Sequence, residues 1–348
     1  MKILICPLNW GIGHATRCVP VIKKLIWQGH DVTVASDGNA LMVLKSQFPG
    51  IKNKELAPLI IKYSTFFFIG LVYQLPRLLT WIKKDRERLH TILSEESYDV
   101  IISDSRPAIF SNRIKSILLI SQPNPIIPWF YGSGLVKLLL NTIYKKYHEI
   151  WIPDIKGLNS LSGRLIKISD HKKVRHLGWL SRLEIKTNSI EIPGKILAII
   201  SGPEPSRSDF EHRLDLMLPA KDVILIGGDL NSRKSTARYI PYLEPAALAR
   251  HIESSEYIIS RGGYSSLMDL AFSNKKIILV PTPGQTEQQY LACRLVEKKY
   301  AVRWDMKLES WSEVKSKSDQ AMRFDLKHMN RDNDKFLEEV LEQLDCLI

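Results

Sequence analysis

The sequence predicts an α/β protein made of two doubly wound domains facing each other across a cleft. Three observations predict it. The chain has 348 residues, more than one hydrophobic core usually serves. Apolar β-branched runs alternate with amphipathic stretches along its whole length, as in parallel sheets covered by helices on both faces. The alternation breaks once, near residues 178–195, where "GWLSRLEIKTNSIEIPG" turns polar and ends in Pro193 and Gly194.

In the first half, "KILIC" (2–6), "DVTVAS" (31–36), "YDVIISD" (98–104), "KSILLIS" (115–121) and "EIWIP" (149–153) read as strands. Strands buried on both faces are near-continuous apolar runs, as these are. "ATRCVPVIKKLIWQG" reads as a helix, and so does "RLLTWIKKDRERLHTILSEE", with Leu78, Leu79, Ile82, Leu89, Ile92 and Leu93 at helical spacing. "KVRHLGWL" begins the join. In the second half the strands are "KILAIIS" (195–201), "DVILIG" (222–227), "YIIS" (257–260) and "KIILVP" (276–281), with "SSLMDLAFSN" and "TEQQYLACRLVEKK" as helices. The expected division is an N-terminal domain over 1–180, a hinge over 181–194 and a C-terminal domain over 195–325. A last helix within 326–348 is expected to return to the N-terminal domain. Ligands bind such sheets at the carboxyl ends of their strands.

Hydrophobic content of 45% and charged content of 25% fit an ordinary folded protein. Four cysteines (Cys6, Cys18, Cys293, Cys346) without CxxC spacing indicate neither a zinc site nor a disulfide framework, and a reducing, cytoplasmic compartment is expected. The opening "MKILIC" is too short an apolar run for a signal peptide. The formal charge of +12 favours an anionic partner: a nucleotide, a nucleic acid or a phospholipid surface. No RNA-binding signature or aromatic–basic platform is present, so nucleic acid is not expected. The clusters Lys83–Arg88 and His171–Lys173 read as solvated faces.

Four segments follow strands and carry chemistry. The first is "GIGHATR". A sharp strand-to-helix turn needs glycine where the backbone is unusual or a ligand comes close, here Gly11 and Gly13. The helix that follows presents N–H groups to an anion. His14 would sit at the mouth of the first strand, to donate to phosphate or carboxylate or to act as a base near neutral pH. Arg17, one turn on, would face the same site, and the plain alternative is a tight turn with an exposed histidine. The second is "SRGGYSSLMDLA" (260–271). Gly262 and Gly263 let a diphosphate approach the backbone beside Arg261. Asp269 lies four residues after Ser265 on one helix face, where a carboxylate accepts ribose hydroxyls.

The third is "PTPGQTEQQYLA" (281–292), whose Gln288 and Gln289 suit sugar hydroxyls and phosphates. A capping box from Thr286 to Gln289 is the structural alternative. The fourth is "SGPEPSR" (201–207), the twin of the opening motif in the second half, with Ser201, Gly202 and Ser206 placed to cradle phosphate. Asp104, ending "VIISD", reaches the same edge as His14, to orient an acceptor or to pair with Arg106. A fifth segment, "YSTFFFIGLVYQLPRLLTWIKK" (63–84), is too short in its uncharged run to span a bilayer. Its apolar and basic mixture suits interfacial docking or, equally, a buried helix pair.

Together, "GIGHATR" and "SRGGYSSLMDLA…VPTPGQTEQQYLA" resemble the GT-B glycosyltransferases, two Rossmann-like domains across a cleft. The nearest likeness is to the family 28 group, which includes the N-acetylglucosaminyltransferase of peptidoglycan synthesis. The resemblance covers both halves and is most specific over 260–292. It implies that the C-terminal signature binds a nucleotide-sugar, with Asp269 on the ribose where family members often carry glutamate. It places Gly262 and Gly263 by the diphosphate, and Gln288 and Gln289 toward sugar and phosphates. Gly11, Gly13 and His14 then fall on the acceptor side. "SGPEPSR" departs from the usual Gly-Gly-Ser pattern.

The expected reaction is transfer of a sugar, with a UDP-sugar as donor, to a hydroxyl of a glycan or lipid-linked acceptor, and the resemblance implies inversion. His14 is the first candidate base and Asp104 the second. Helix N-termini and Arg261 would meet the charge on the leaving diphosphate, so no metal or other cofactor is expected; there is no Asp-x-Asp signature. The place of work is expected to be the cytoplasm, at the anionic inner face of the membrane. Two alternatives stand beside this. A nucleotide-sugar hydrolase or epimerase would release free sugar or isomer without an acceptor. A non-catalytic nucleotide or nucleic-acid binder would show salt-steep oligonucleotide binding.

Overall fold

The computed structural model describes residues 1–59, 74–127, 133–168, 174–186, 190–202, 204–219, 221–227, 239–327 and 333–345. The first half of the apolar-basic run 63–84 (63–73), the cluster His171–Lys173 and Cys346 lie outside them. The chain divides into two compact units, Met1–Leu180 with Asn330–Ile348, and Ser181–Met329.

The first unit holds seven strands: β1 (Lys2–Pro7), β2 (Asp31–Ser36), β3 (Lys52–Glu55), β4 (Val100–Asp104), β5 (Lys115–Leu119), β6 (Glu149–Ile152) and β7 (Val174–His176). All pair in parallel, in the order β3-β2-β1-β4-β5-β6-β7. The central strands are the apolar runs of the sequence: Ile3, Leu4, Ile5, Ile101 and Ile102 are fully buried. The helices are α1 (Gly13–Trp27), α2 (Gly38–Gln47), α3 (Leu75–Glu95) and α4 (Ser133–Tyr144), and further on α10 (Asn333–Asp345). Lys24 Nζ of α1 donates to Glu338 Oε1 of α10 at 2.6 Å. From β1 the chain first builds outward through β2 and β3, then crosses to β4 and builds the other way. Loops leaving β1 and β4 therefore diverge to opposite faces, and a crevice opens between their carboxyl ends. The register sets Pro7 opposite Asp104 at that point.

The second unit holds β8 (Ile196–Ile199), β9 (Val223–Ile226), β10 (Tyr239–Ile240), β11 (Tyr257–Ser260), β12 (Lys276–Leu279) and β13 (Ala301–Arg303). They are parallel in the order β10-β9-β8-β11-β12-β13, with the switch between β8 and β11. Its helices are α5 (Ser206–Met217), α6 (Pro245–Ser254), α7 (Tyr264–Leu270), α8 (Thr286–Glu297) and α9 (Trp311–Gln320). Phe210, Leu214, Ile259, Ile278 and Trp304 share one core.

Four strands go beyond the sequence reading. β3 is "KNKE" and almost wholly exposed, β7 is "VRH", and β10 and β13 have two and three residues. Edge strands bury one neighbour instead of two, so they need no apolar run. Helix α9, not read from the sequence, begins with a reciprocal capping box between Ser310 and Glu313. The cluster Lys83–Arg88 is no simple solvated face. Asp85 within it is fully buried, and Arg86 stacks over Phe110 at 4.2 Å while donating to the carbonyls of Ala108 and Phe110.

Candidate active site

Both switch points carry the chemistry-bearing motifs. In the first unit Gly11 takes φ +81°, a left-handed conformation cheap only for glycine. The chain then turns into α1, whose first residue is Gly13. His14 lies in the opening turn with its side chain 20% exposed. Its Nδ1 stands 3.2 Å from both carboxylate oxygens of Asp104. A neutral ring donating Nδ1–H to Asp104 leaves the Nε2 lone pair outward, and Nε2 has no partner among the described residues. Burial lowers the His14 pKa below 6.5, Asp104 opposes this, and Arg17 reinforces it. The ring is thus neutral near pH 7.

Arg17 does not face the site as expected. It is buried beneath His14, with Nε donating to Asp104 Oδ2 at 2.9 Å and Nη2 donating to Oδ1. Nη1 reaches Ser121 Oγ at 2.9 Å, and Nη2 approaches Ser105 Oγ at 3.1 Å and His14 Nδ1 at 2.9 Å. Asp104 is fully buried. Burial alone would raise its pKa, but Arg17 and His14 outweigh it and hold the carboxyl well below the usual range. A carboxylate held so firmly ionised orients a base and is a poor base itself.

Asp104 does not pair with Arg106 either. Arg106, fully buried, donates Nη1 to Asp85 at 2.7 Å, Nη2 to Asp37, and Nε to the Pro7 carbonyl at 3.0 Å. Asn9 Nδ2 adds a 2.9 Å bond to Asp37. This network ties the ends of β1 and β2 and helix α3 to the residue just past β4. The sequence offered no sign of it beyond Asn9, Asp37 and Arg106 just past strand ends and Asp85 within a helix.

In the second unit the predicted residues converge. Arg261, after β11, donates Nη2 to the carbonyl of Ser206 at 2.6 Å and to its Oγ at 3.1 Å, and its guanidinium lies 4.0 Å over the Phe210 ring. Burial pushes its pKa down to about 10, so it stays cationic. Gly202 takes φ +112° and approaches Thr282; a Cβ there would lie 3.9 Å from Thr282 Oγ1. Gln288 Oε1 accepts from the Thr282 N–H at 2.8 Å, and a Cβ on Gly263 would lie 4.0 Å from Gln288 Nε2. Gly262 takes φ +74°, and Ser201, Ser265 and Gln289 are half-buried beside these loops. Arg261 Nε and Thr282 Oγ1 are buried and have no hydrogen-bond partner among the described residues. Both lie at the carboxyl end of this sheet.

Helix α8 begins at Thr286 behind Gln285, without a side-chain cap, so the capping box from Thr286 is not formed. Asp269 is buried and already engaged: Oδ1 accepts from the Arg182 N–H at 3.1 Å and Ser181 Oγ at 3.3 Å, and Oδ2 from Arg182 Nε at 3.3 Å. Burial raises its pKa, and Arg182 opposes the rise. Arg182, whose Nη1 is buried and unpartnered among the described residues, was missed by motif reading because it sits 87 residues from its partner. Among the described residues no group of His, Cys, Asp and Glu comes together to hold a metal ion, and no helix is long and apolar enough to cross a membrane.

Residues 226–344 match the glycosyltransferase family 28 C-terminal domain. An uncharacterized glycosyltransferase of Methanosarcina acetivorans is 23% identical over 332 residues, covering 86% of this chain and 84% of its own length. Another, of Methanosarcina mazei, is 23% identical over 339 residues with the same coverage. The fold is shared with solved glycosyltransferases. The enzyme SnogD of Streptomyces nogalater superposes with TM-score 0.65 at 13% identity, covering 100% of both chains. The spinosyn rhamnosyltransferase SpnG, complexed with thymidine diphosphate, gives 0.63 at 11% identity, covering 98% of this chain and 96% of its own. With its two parallel sheets the chain is a glycosyltransferase of the GT-B fold, and its residues 226–344 are similar to the family 28 C-terminal domain.

Proposed function

We propose that this enzyme moves a sugar from a nucleoside diphosphate-sugar, a UDP-sugar in the first instance, to a hydroxyl of a glycan or lipid-linked acceptor. The first unit takes the acceptor and the second the donor. The observation that carries the reading is the His14–Asp104–Arg17 constellation: a neutral imidazole whose Nδ1 faces a buried carboxylate and whose Nε2 has no partner among the described residues. That is the arrangement a general base needs. As the acceptor oxygen bonds to the anomeric carbon, the bond to the diphosphate oxygen breaks and the acceptor proton passes to Nε2. A single displacement of this kind inverts the anomeric centre. Asp104 then faces the imidazolium it helps to stabilise, and Arg17 keeps Asp104 ionised.

The leaving diphosphate gathers negative charge, and preorganised donors are most effective where charge develops. Arg261 and Thr282, with buried polar atoms unpartnered among the described residues, support an anion at this end of the second sheet, met by protein donors and no metal ion. Gly202, Gly262 and Gly263 admit it to the backbone, Ser201, Ser206 and Ser265 add hydroxyls, and Gln288 and Gln289 face the sugar. Asp269 takes the ribose, sharing its carboxylate with Arg182. A TDP-sugar is a second reading, favoured by the thymidine diphosphate held by the similar rhamnosyltransferase. The net charge of +12 supports work at the anionic inner face of the cytoplasmic membrane.

A panel of nucleotide-sugars screened by thermal shift, followed by acceptor-dependent release of nucleoside diphosphate, tests this. A donor that binds and is consumed only with acceptor present supports transfer. Free sugar released without acceptor would point to the hydrolase reading instead.

A further inference from the structure

We infer that Glu204 is a built-in competitor of the donor's diphosphate: its carboxylate holds the N-terminus of helix α5 and the Arg207 guanidinium until the diphosphate displaces it. The inference rests on the diphosphate site of the reading above and adds to it a residue that weakens donor binding. Glu204 stands in "SGPEPSR", between β8 and α5. Helix α5 begins at Ser206 behind Pro205, which supplies no side-chain cap. Glu204 reaches past the proline to fill that place. Its Oε2 accepts the Ser208 N–H at 3.2 Å and the Ser208 hydroxyl at 2.8 Å. Its Oε1 accepts Arg207 Nε at 2.9 Å and Nη2 at 2.6 Å. A helix N–H, a hydroxyl and a guanidinium are the donor set a phosphate uses. Burial alone would raise the Glu204 pKa, but Ser208 and Arg207 outweigh it and hold the pKa below 4.5, so the group is an anion at neutral pH.

Two further observations mark the same place as one for a bound anion. Strands β8, β11 and β12 are neighbours, so the loops that follow them emerge together. Arg261, after β11, donates Nη2 to Ser206, the first residue of α5, and its Nε is buried without a partner among the described residues. Thr282, after β12, lies beside Gly202, and its Oγ1 is likewise buried and unpartnered among the described residues. These two residues are 4% and 5% exposed, so the polar atoms belong to a built site and not to the open surface. The helix dipole, Arg207 and Arg261 make this end of α5 electropositive, and Glu204 supplies the negative charge it attracts. Glu204 can also leave. Its side chain is 49% exposed, so it swings into water at the small cost of a surface ion pair. A diphosphate and a carboxylate cannot share these donors, since like charges repel at contact distance. Glu204 therefore lowers the affinity of the second unit for a diphosphate, and it returns to α5 as the product nucleotide departs.

The test uses the full chain with inorganic pyrophosphate, UDP and TDP as probes. Binding is read by calorimetric titration and stability by thermal melting. Glu204→Gln keeps the length of the side chain and removes its charge. It should bind pyrophosphate, and whichever nucleotide the wild type binds, about fivefold or more tighter, because the competing anion is gone. Without a probe it should melt about 1–4 °C lower, since a carboxylate near a helix N-terminus is stabilising. Lower stability together with tighter binding is what an internal competitor predicts, whereas a plain helix cap would give the first alone. Adding Arg207→Gln should abolish the gain, because the guanidinium that Glu204 releases no longer meets the phosphate. Glu204→Gln that binds the probes as wild type does, or more weakly, would overturn the inference and leave sugar transfer intact. So would a gain undiminished by Arg207→Gln, or no detectable binding by wild type and variant alike. Tighter pyrophosphate binding without any acceptor-dependent turnover would support the competitor and remove sugar transfer instead.

Discussion

Replacing Asp104 with asparagine keeps the size of the side chain and removes its charge. In the native protein that buried carboxylate accepts Arg17 Nε at 2.9 Å and Arg17 Nη2 from an equally buried guanidinium, and faces His14 Nδ1 at 3.2 Å. Asp104→Asn leaves the Arg17 cation buried without its counter-ion. Breaking one partner of a buried pair typically costs about 3–5 kcal/mol. For a unit of this size that lowers the unfolding midpoint by roughly 6–20 °C, at about 2–4 °C per kcal/mol. The same change should alter catalysis at temperatures where the variant is folded. Asp104 is the group that raises the His14 pKa against burial, so without it the pKa falls further. Activity requires neutral His14, so the acid limb of the pH–rate profile, already below 6.5, should move to lower pH. The plateau rate should fall by about tenfold to a hundredfold as orientation and stabilisation of the imidazolium are lost. Differential scanning calorimetry and initial rates of nucleoside diphosphate release read the two effects. Wild-type stability with an unmoved acid limb would refute both the ion pair and the orienting role.

His14→Ala should reduce turnover by about a hundredfold or more with little change in donor affinity; a loss within threefold would remove it as the base. Asp269→Asn should weaken binding of UDP or TDP by about tenfold, read by calorimetric titration, because one carboxylate hydrogen bond is worth about 1.5–3 kcal/mol; equal affinity would end the ribose assignment. Gly262→Ala should destabilise the second unit by about 1–2 kcal/mol in urea, the cost of a left-handed conformation for a residue with a Cβ, since φ there is +74°. Burial raises Asp85 from 3.8 to about 6, partly opposed by Arg106. Its folded pKa is above the unfolded one, so its contribution to stability is full below 3.8 and fades as pH rises through about 6. Urea midpoints across that range should lose this component of their slope in Asp85→Asn.

Much of this molecule was legible from residues in a row. The central strands β1, β2, β4, β8 and β11 are continuous apolar runs because each is covered on both faces, and β2 and β11 fall where their runs begin and end. The glycine turns before α1 and α7 were legible because backbone geometry there excludes most other residues. Strands β3, β10 and β13 were not, since an edge strand is decided by its neighbour's hydrogen bonds and not by its own side chains. The site divides in the same way. His14, Asp104, Arg261 and Asp269 are marked by their position after strands. Their partners are not: Arg17 with Asp104, Arg106 with Asp37 and Asp85, and Arg182 with Asp269 join residues 21 to 87 positions apart. Asp104 and Arg106 are two residues apart, yet each closes on a distant partner. The sequence by itself determined the central strands, the glycine turns and the kinds of group at their ends. Only the tertiary structure decided which charges meet, because sheet order sets which strand ends are neighbours. A charge cut off from water must take the opposite charge that lies beside it in space, whatever its distance along the chain.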